Sequence, residues 1–301
     1  MNFKIVVREL RVLSPPKYFL MKKIILLLFS FATITAFAQT PKDYACNPDV
    51  ICTGDTLNGR YNISYTFKDQ KDILRTFKFS FEIKKTLEDI ARYGVPISYF
   101  ENISTSTMTK DRKKIIKKGF YKQSGNFLKP DRSAMVSFYR TYCRSIAGGI
   151  IYTLLNEGSD NRINRIEMAM KFVQDIPYGV PEIADTTWEV YGIYTPPEVL
   201  IRMYGDCDSK AILFACILTY LVDAKDILFL FQGHNHALVA IKGNPSIKQK
   251  YIEINKIKYI LADVTGPSRL AWGDDGNKFD AAVGYKVEPV KVKGYWFHSI
   301  K

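Results

Sequence analysis

The stretch YGDCDSKAILFACILTYL, residues 204–221, places Cys207 directly before a long apolar segment. The Gly205-Asp206 pair is typical of a turn that leads into a helix, and the segment after it is apolar on nearly all sides. This pattern predicts a buried helix that begins near Cys207. Backbone N–H groups at a helix N-terminus carry partial positive charge, so we expect them to stabilise a thiolate and to lower the pKa of Cys207.

Two further polar residues follow this helix in an order that suits an activated sulfur nucleophile. His236 opens the segment HALVAI, and Asp263 closes the segment YILAD. Both segments are predicted to be strands, in a series at about 227–232, 236–242, 250–255 and 257–263. A nucleophilic cysteine needs a base that takes its proton, and the imidazole needs a carboxylate that orients it.

Some of these assignments have competitors nearby in the sequence. His234 lies two positions before His236, on the same side of an extended chain, and would border the cleft if His236 is the base. Glu253 and Asn255 are weaker alternatives to Asp263. A separate complication is that Asp206 and Asp208 flank Cys207 and would raise its pKa unless one of them caps the helix.

The motifs YGDCDSKA (204–211), HALVAI (236–241) and YILADVT (259–265) resemble those of the transglutaminase-like superfamily, over roughly residues 160–267. The segment FVQDIPYG (172–179) is similar to the bacterial branch of that superfamily. The resemblance implies a papain-like α+β fold, in which a central helix packs on an antiparallel sheet. It also implies that Cys207, His236 and Asp263 cleave amide bonds of proteins or peptides through a thioester. Hydrolysis is expected before cross-linking, because bacterial members often resemble proteases.

An enzyme of this kind also needs hydrogen-bond donors for the oxyanion that forms during acyl transfer. The backbone N–H of Cys207 is the first expected donor. Tyr204, Trp188 and Gln174 are candidates for the second, and the sequence does not choose among them.

Two other kinds of function are weighed against this one. Zinc binding by Cys207, Cys216, His234 and His236 is not expected, because the set lacks the closely spaced pairs of a zinc site. No phosphate loop or dinucleotide fingerprint is present in the sequence, and no cofactor is expected. A binding module for peptide or glycan, with Trp188, Tyr191 and Tyr194 as a stacking surface, is the non-enzymatic alternative.

The N-terminus is typical of an export signal. Met21-Lys22-Lys23 precedes a short apolar run that ends in Ala36-Phe37-Ala38. We expect translation to start at Met21, cleavage after Ala38, and a secreted or periplasmic protein without stable membrane insertion. The run is too short for a comfortable bilayer span.

The chain is basic, with a formal net charge of +13, and its densest cluster of lysine and arginine is at 109–122. Contact with anionic envelope components is one interpretation, and a solvated strand or hairpin face is favoured over it. Nucleic-acid binding is not expected. Among the cysteines, Cys46 and Cys52 could close a small loop, whereas Cys143 and Cys216 are expected to be buried free thiols.

The chain is divided into an extension and signal peptide (1–38), a β-rich region (39–127) and a transglutaminase-like domain (128–301). Within the β-rich region, alternation at 61–67 and 77–83 predicts a hairpin, residues 39–60 are expected to be loosely ordered, and 95–127 to be strand and loop. The later pattern predicts a long helix after Asp131 that is strained at Gly148-Gly149, a helix at 163–173, and a short helix capped by Thr195.

Overall fold

The computed structural model describes residues 47–96, 110–124, 127–181, 188–189, 192–232, 236–276 and 279–292. The predicted signal peptide, Cys46, Tyr191 and His234 lie outside the described residues. In the part of the chain that is described, no helix is long and apolar enough to cross a bilayer.

The N-terminal region forms a three-stranded antiparallel sheet of β1 (Ile51–Leu57), β2 (Arg60–Lys68) and β3 (Leu74–Glu82), with β2 in the centre. The predicted hairpin is confirmed as β2 and β3. The expectation of a loosely ordered lead-in is wrong for β1, which pairs with β2 along its whole length. The missed signal is Asn58-Gly59, a dipeptide that favours a two-residue hairpin turn; both residues have positive φ.

Two helices follow β3 in the described part of the N-terminal region. The sequence predicts the first, as a short helix that is capped by Thr86 or Asp89 and ends at Gly94, but it begins earlier, after Glu82. Helix α1 spans Ile83–Ala91, and α2 spans Lys110–Lys117 within the basic cluster. A strand-and-loop segment was therefore the wrong expectation for 110–117. Ile115 is buried while Lys113, Lys114 and Lys117 are exposed, which is an amphipathic helix pattern. Two short two-stranded ladders follow. Strand β4 (Val95–Pro96) pairs with β7 (Trp188–Glu189), which comes from later in the chain, and β5 (Tyr121–Ser124) pairs with β6 (Phe127–Pro130).

The long helix predicted after Asp131 is two helices. Helix α3 (Arg132–Tyr139) and helix α4 (Arg144–Asn156) are joined by a 3₁₀ turn at Arg140–Cys143, so the break is not at Gly148-Gly149. Within the turn, the buried Arg140 places its guanidinium over the ring of Tyr220, 4.5 Å from the ring centroid. This contact holds the turn between the two helices against the core. The periodicity of the local sequence does not predict a contact between residues so far apart in the chain.

Two more helices lead to the nucleophile. Helix α5 (Arg162–Gln174) is where the apolar periodicity predicts it, and helix α6 (Pro196–Arg202) begins with the predicted capping box between Thr195 and Glu198. The backbone then turns through Met203 in the left-handed conformation and enters helix α7 (Cys207–Leu218).

Helix α7 is the centre of the C-terminal part of the molecule. Every residue from Ser209 to Leu218 is buried, as expected for a helix that is apolar nearly all round. The helix packs against a five-stranded antiparallel sheet in the order β10-β11-β9-β8-β12. Its strands are β8 (Ile227–Gln232), β9 (His236–Lys242), β10 (Tyr251–Ile254), β11 (Ile257–Ala262) and β12 (Lys286–Pro289). The fold class is α+β, as predicted.

The two regions on either side of residue 127 share one hydrophobic core. Phe172 of α5 makes edge contacts with Tyr65 and Phe67 of β2, at centroid distances of 5.0 and 5.3 Å. Nearby, the buried carboxylate of Asp175 forms an ion pair with Arg269 and accepts the backbone N–H of Lys68. The three-stranded sheet is therefore part of the structure that supports α5, not an independently packed appendage.

Candidate active site

The start of helix α7 is fixed by a side-chain cap. Asp206 is the N-cap residue, and its Oδ1 accepts the backbone N–H of Ser209 at 2.9 Å. The Ser209 hydroxyl accepts in turn the backbone N–H of Tyr194, at 2.8 Å. These bonds make Cys207 the first residue of the helix, where backbone N–H groups have no acceptor within the helix.

The second aspartate beside the nucleophile is paired. Arg132 donates from Nε to Asp208 Oδ1 at 3.0 Å, and its Nη2 lies 2.9 Å from the same oxygen. The guanidinium also lies over the ring of Phe231, 4.2 Å from the centroid. Arg132 thus offsets part of the negative charge that Asp208 brings to the start of the helix.

The Cys207 thiol is nevertheless less acidic than the sequence predicts. Burial raises its pKa to about 11, helped by the charges of Asp208 and Asp206, while the backbone N–H groups of Ala237 and Asp208 oppose the change. The expectation that the helix N-terminus lowers the pKa of Cys207 is therefore wrong. Desolvation penalises the thiolate more than the nearby N–H groups stabilise it.

His236 and Asp263 meet at one end of the five-stranded sheet. Strands β9 and β11 are antiparallel neighbours, with Val239 opposite Ala262, so the start of β9 and the residue after β11 are close together. His236 Nε2 lies 3.2 Å from Asp263 Oδ2. The His236 side chain is 16% exposed and the Asp263 carboxylate is fully buried. The imidazole is thus largely buried but still reaches solvent, whereas its acid partner is dry.

The surroundings of Asp263 favour its ionised form. Burial raises its pKa, but the hydrogen bond with His236 and the backbone N–H of Thr265, which donates to Oδ1 at 2.8 Å, outweigh burial and bring the pKa to about 2. A carboxylate that stays charged in a dry setting can orient an imidazole and stabilise its protonated form.

The three predicted residues converge at the start of strand β9. The thiol of Cys207 is close enough to the Ala237 N–H for that group to lower its pKa, and Ala237 directly follows His236 in the chain. Within the described residues, no hydrogen bond joins the thiol to the His236 ring. The thiol therefore lies beside the backbone of residues 236–237 without a hydrogen bond to the imidazole.

Three residues were candidates for the second oxyanion donor. Gln174 and Tyr204 have other hydrogen-bond partners, and the side chain of Trp188 is not among those that the structure describes. Gln174 donates from Nε2 to the backbone carbonyls of Asp263, at 2.7 Å, and Leu270, at 3.1 Å. Its amide therefore supports the loop under Asp263 and does not face an oxyanion. The Tyr204 hydroxyl is 2.8 Å from the hydroxyl of Tyr194. Trp188 lies in β7, and its side chain is outside the described residues.

The weaker alternatives to Asp263 are placed elsewhere. Glu253 is in the edge strand β10 opposite Lys258, and Asn255 is in the turn between β10 and β11. The carboxylate that reaches the imidazole is that of Asp263.

One buried residue near the site was not singled out from the sequence. Lys210 is fully buried on α7, and its ammonium group donates to backbone carbonyls of two other segments. The signal was present, because a lysine inside an otherwise apolar helix must find polar partners when it is buried.

The effect of Asp208 on the thiol can be measured directly. We expect Asp208→Asn to lower the pKa of Cys207 by about one unit, since it removes a like charge beside the thiolate and leaves Arg132 nearby. Alkylation of Cys207 by iodoacetamide at pH 8 should become about tenfold faster, because the thiolate is the reactive form. Asp226→Asn, which removes the partner of Arg162 elsewhere on the surface, is the matched control and should leave the alkylation rate unchanged. An unaltered rate in Asp208→Asn would contradict the electrostatic account.

Comparisons of the chain with protein-family models, with curated proteins and with solved structures found no match. Among the described residues, no three His, Cys, Asp or Glu side chains are grouped as a metal site requires. The arrangement of Cys207, His236 and Asp263 is therefore the basis for a functional proposal.

Proposed function

We propose that this chain is an exported, transglutaminase-like cysteine enzyme with a papain-like core, which acts on amide bonds of proteins or peptides. The observation that carries the proposal is the position of the Cys207 thiol. It lies at a helix start beside the backbone of residues 236–237, where the His236 ring is held by a buried carboxylate. A structural cysteine has no need of an oriented imidazole, whereas a sulfur nucleophile does.

Under this proposal the two nitrogens of the imidazole have separate roles. Nε2 is engaged by Asp263, so Nδ1 is the nitrogen available to Cys207. As the sulfur attacks the amide carbonyl carbon, its proton moves to Nδ1, and the carbonyl oxygen becomes an oxyanion near the Cys207 N–H. The tetrahedral intermediate then expels the amine, which takes the proton from Nδ1, and a thioester remains on Cys207. Water attacks the thioester with Nδ1 as the base, which releases the acid and restores the thiol.

The neutral thiol fits this sequence of steps. With a pKa of about 11, Cys207 holds its proton at neutral pH until His236 accepts it during attack. We therefore infer general-base activation, in which the thiolate forms together with the new bond.

Two other functions are alternatives to amide hydrolysis: acyl transfer to an amine, and binding without catalysis. A primary amine could resolve the thioester in place of water, which would make the activity protein-glutamine acyl transfer and produce cross-links. A non-enzymatic module could instead keep the fold to bind peptide or glycan. The buried pair of Asp263 and His236 next to a thiol favours the enzyme, because stacking of a ligand on aromatic residues needs none of these groups.

The test uses an acyl donor that does not depend on the natural substrate. With p-nitrophenyl acetate, we expect a burst of about one equivalent of p-nitrophenolate per chain, followed by slower turnover, as acylation precedes hydrolysis. Addition of a primary amine separates the two enzymatic outcomes, since cross-linking activity transfers the acetyl group to the amine. The absence of a burst in folded protein would favour the binding module.

A further inference from the structure

Lys210 is the one residue of helix α7 that is both charged and fully buried among those the structure describes. Its ammonium group donates to the carbonyl oxygens of Ile176 and Thr265, each at 2.6 Å, and lies 3.4 Å from the carbonyl oxygen of Gln174. A buried ammonium is costly unless its donors are satisfied, and short bonds to carbonyls satisfy them. The lysine therefore ties its helix to two other segments.

Both of these segments belong to the candidate site. Gln174 and Ile176 lie at the end of α5 and just after it, and Thr265 lies two residues beyond Asp263. Because Lys210 is one helical turn after Cys207, its bonds connect the helix that carries the nucleophile to the loop that carries the acid.

A second side chain holds the same loop from the other direction. The Gln174 amide donates to the Asp263 carbonyl at 2.7 Å, so the backbone of the acid itself is fixed by α5. At Gly266, which has a φ of +66°, the loop also passes close to the end of α5. A Cβ there would lie 2.3 Å from the Gln174 carbonyl oxygen. Only glycine permits both this backbone conformation and this approach. The loop is thus held between Lys210 and Gln174, and at Gly266 it has no room for a side chain.

We propose that Lys210 and Gln174 are positioning residues, which set the distance and angle of the Asp263 carboxylate relative to His236 and to the start of helix α7. Neither side chain reaches the reacting atoms; each acts through the loop 263–266. The inference rests on the proposed function and deepens it. The motifs FVQDIPYG and YGDCDSKA then share one role: Gln174 of the first and Lys210 of the second hold the loop that carries Asp263.

The experiment measures the rate of acetylation of Cys207 by p-nitrophenyl acetate between pH 5 and pH 9. We expect Lys210→Met and Gln174→Leu each to slow acetylation by about 10- to 100-fold, the effect of misplacing a catalytic group by roughly 1 Å. The acid limb of the pH–rate profile should also move to lower pH, because a carboxylate close to the imidazole favours its protonated form. A purely structural role would lower the melting temperature without moving this limb.

Lys171→Met is the matched control. Lys171 is a buried lysine on the same helix as Gln174, and it donates to the carbonyls of Arg269 and Leu270, beyond the part of the loop that bears the acid. We expect this variant to be destabilised but to keep the wild-type pH–rate profile. If it moves the profile as Lys210→Met does, or if both test variants keep the wild-type rate and profile, the positioning role is wrong. If Lys210→Met does not fold, the acetylation rate and the pH–rate profile of Gln174→Leu alone test the positioning role.

The same measurement with Cys207→Ala separates this inference from the proposed function. A burst that persists without the Cys207 thiol overturns the enzymatic proposal itself. A burst that is lost in Cys207→Ala but unchanged in Lys210→Met and Gln174→Leu overturns only the positioning role.

Discussion

Cys207→Ala is expected to reduce amide turnover by at least about a thousandfold while leaving the fold intact. The substitution removes the atom that forms the thioester, and the remaining groups cannot replace it. Cys207 is half-buried at the helix start, on the border of the core, so loss of its sulfur removes little packing. Hydrolysis of peptide amides and thermal unfolding of the same preparations are the measurements.

Cys216→Ala is the matched control for this prediction. Cys216 lies on the same helix and is fully buried, so its loss should destabilise the protein by about 1–2 kcal/mol and leave turnover intact. Retention of full activity in Cys207→Ala would remove the basis for the mechanism. Equal loss of activity in both variants would show that damage to helix α7, and not loss of the nucleophile, had been measured.

Asp263→Asn is expected to lower turnover by about a thousandfold to ten-thousandfold. An amide at this position cannot stabilise a protonated imidazole, and it can turn the ring into the wrong tautomer. His236 would remain in place because the carboxamide is nearly the same size as the carboxylate. Steady-state kinetics at several pH values measure this loss.

The same substitution tests the charge of Asp263 through stability. The pKa of about 2 lies below the ordinary value of 3.8, so the ionised carboxylate stabilises the folded state above about pH 4. We expect the free energy of unfolding of the wild type to exceed that of Asp263→Asn by about 2 kcal/mol at pH 6. This difference should shrink as the pH falls from 4 towards 2, because the unfolded chain then binds a proton that the folded carboxylate takes up only near pH 2.

Asp275→Asn provides a second buried carboxylate for comparison. Asp275 is fully buried and paired with Lys250, away from the three converging residues. We expect its loss to destabilise the protein without a comparable loss of turnover. If the difference in unfolding free energy between the wild type and Asp263→Asn were the same at pH 6 and pH 2, the pKa assigned to Asp263 would be wrong.

The sequence predicted the C-terminal part of the fold well because its signals are local. The apolar run after Cys207, the strand patterns between 227 and 263 and the capping box at Thr195 each depend on neighbouring residues, and the structure places these elements within a residue or so of the predictions. The edge strand β12 was not predicted. The approach of His236 to Asp263 follows from the same strands, since antiparallel neighbours bring the start of one beside the end of the other.

The features that the sequence did not predict depend on contacts across the chain. The break at Arg140 is coupled to Tyr220, and the bonds of Lys210 and Gln174 run to the loop after β11. The raised pKa of Cys207 has the same origin. The helix N-terminus can be read from the sequence, but burial of the thiol, which dominates, is known only once the molecule is folded. In β1, by contrast, the missed signal was local, at Asn58-Gly59.

The most direct measurement is to find which atom carries the acyl group during turnover. Protein acylated by p-nitrophenyl acetate or by a peptide amide is quenched in acid, digested and analysed by mass spectrometry. The proposed mechanism predicts one hydroxylamine-sensitive acyl group, on the peptide that contains Cys207. Acylation that is confined to lysines or to another cysteine, while turnover continues, would contradict it.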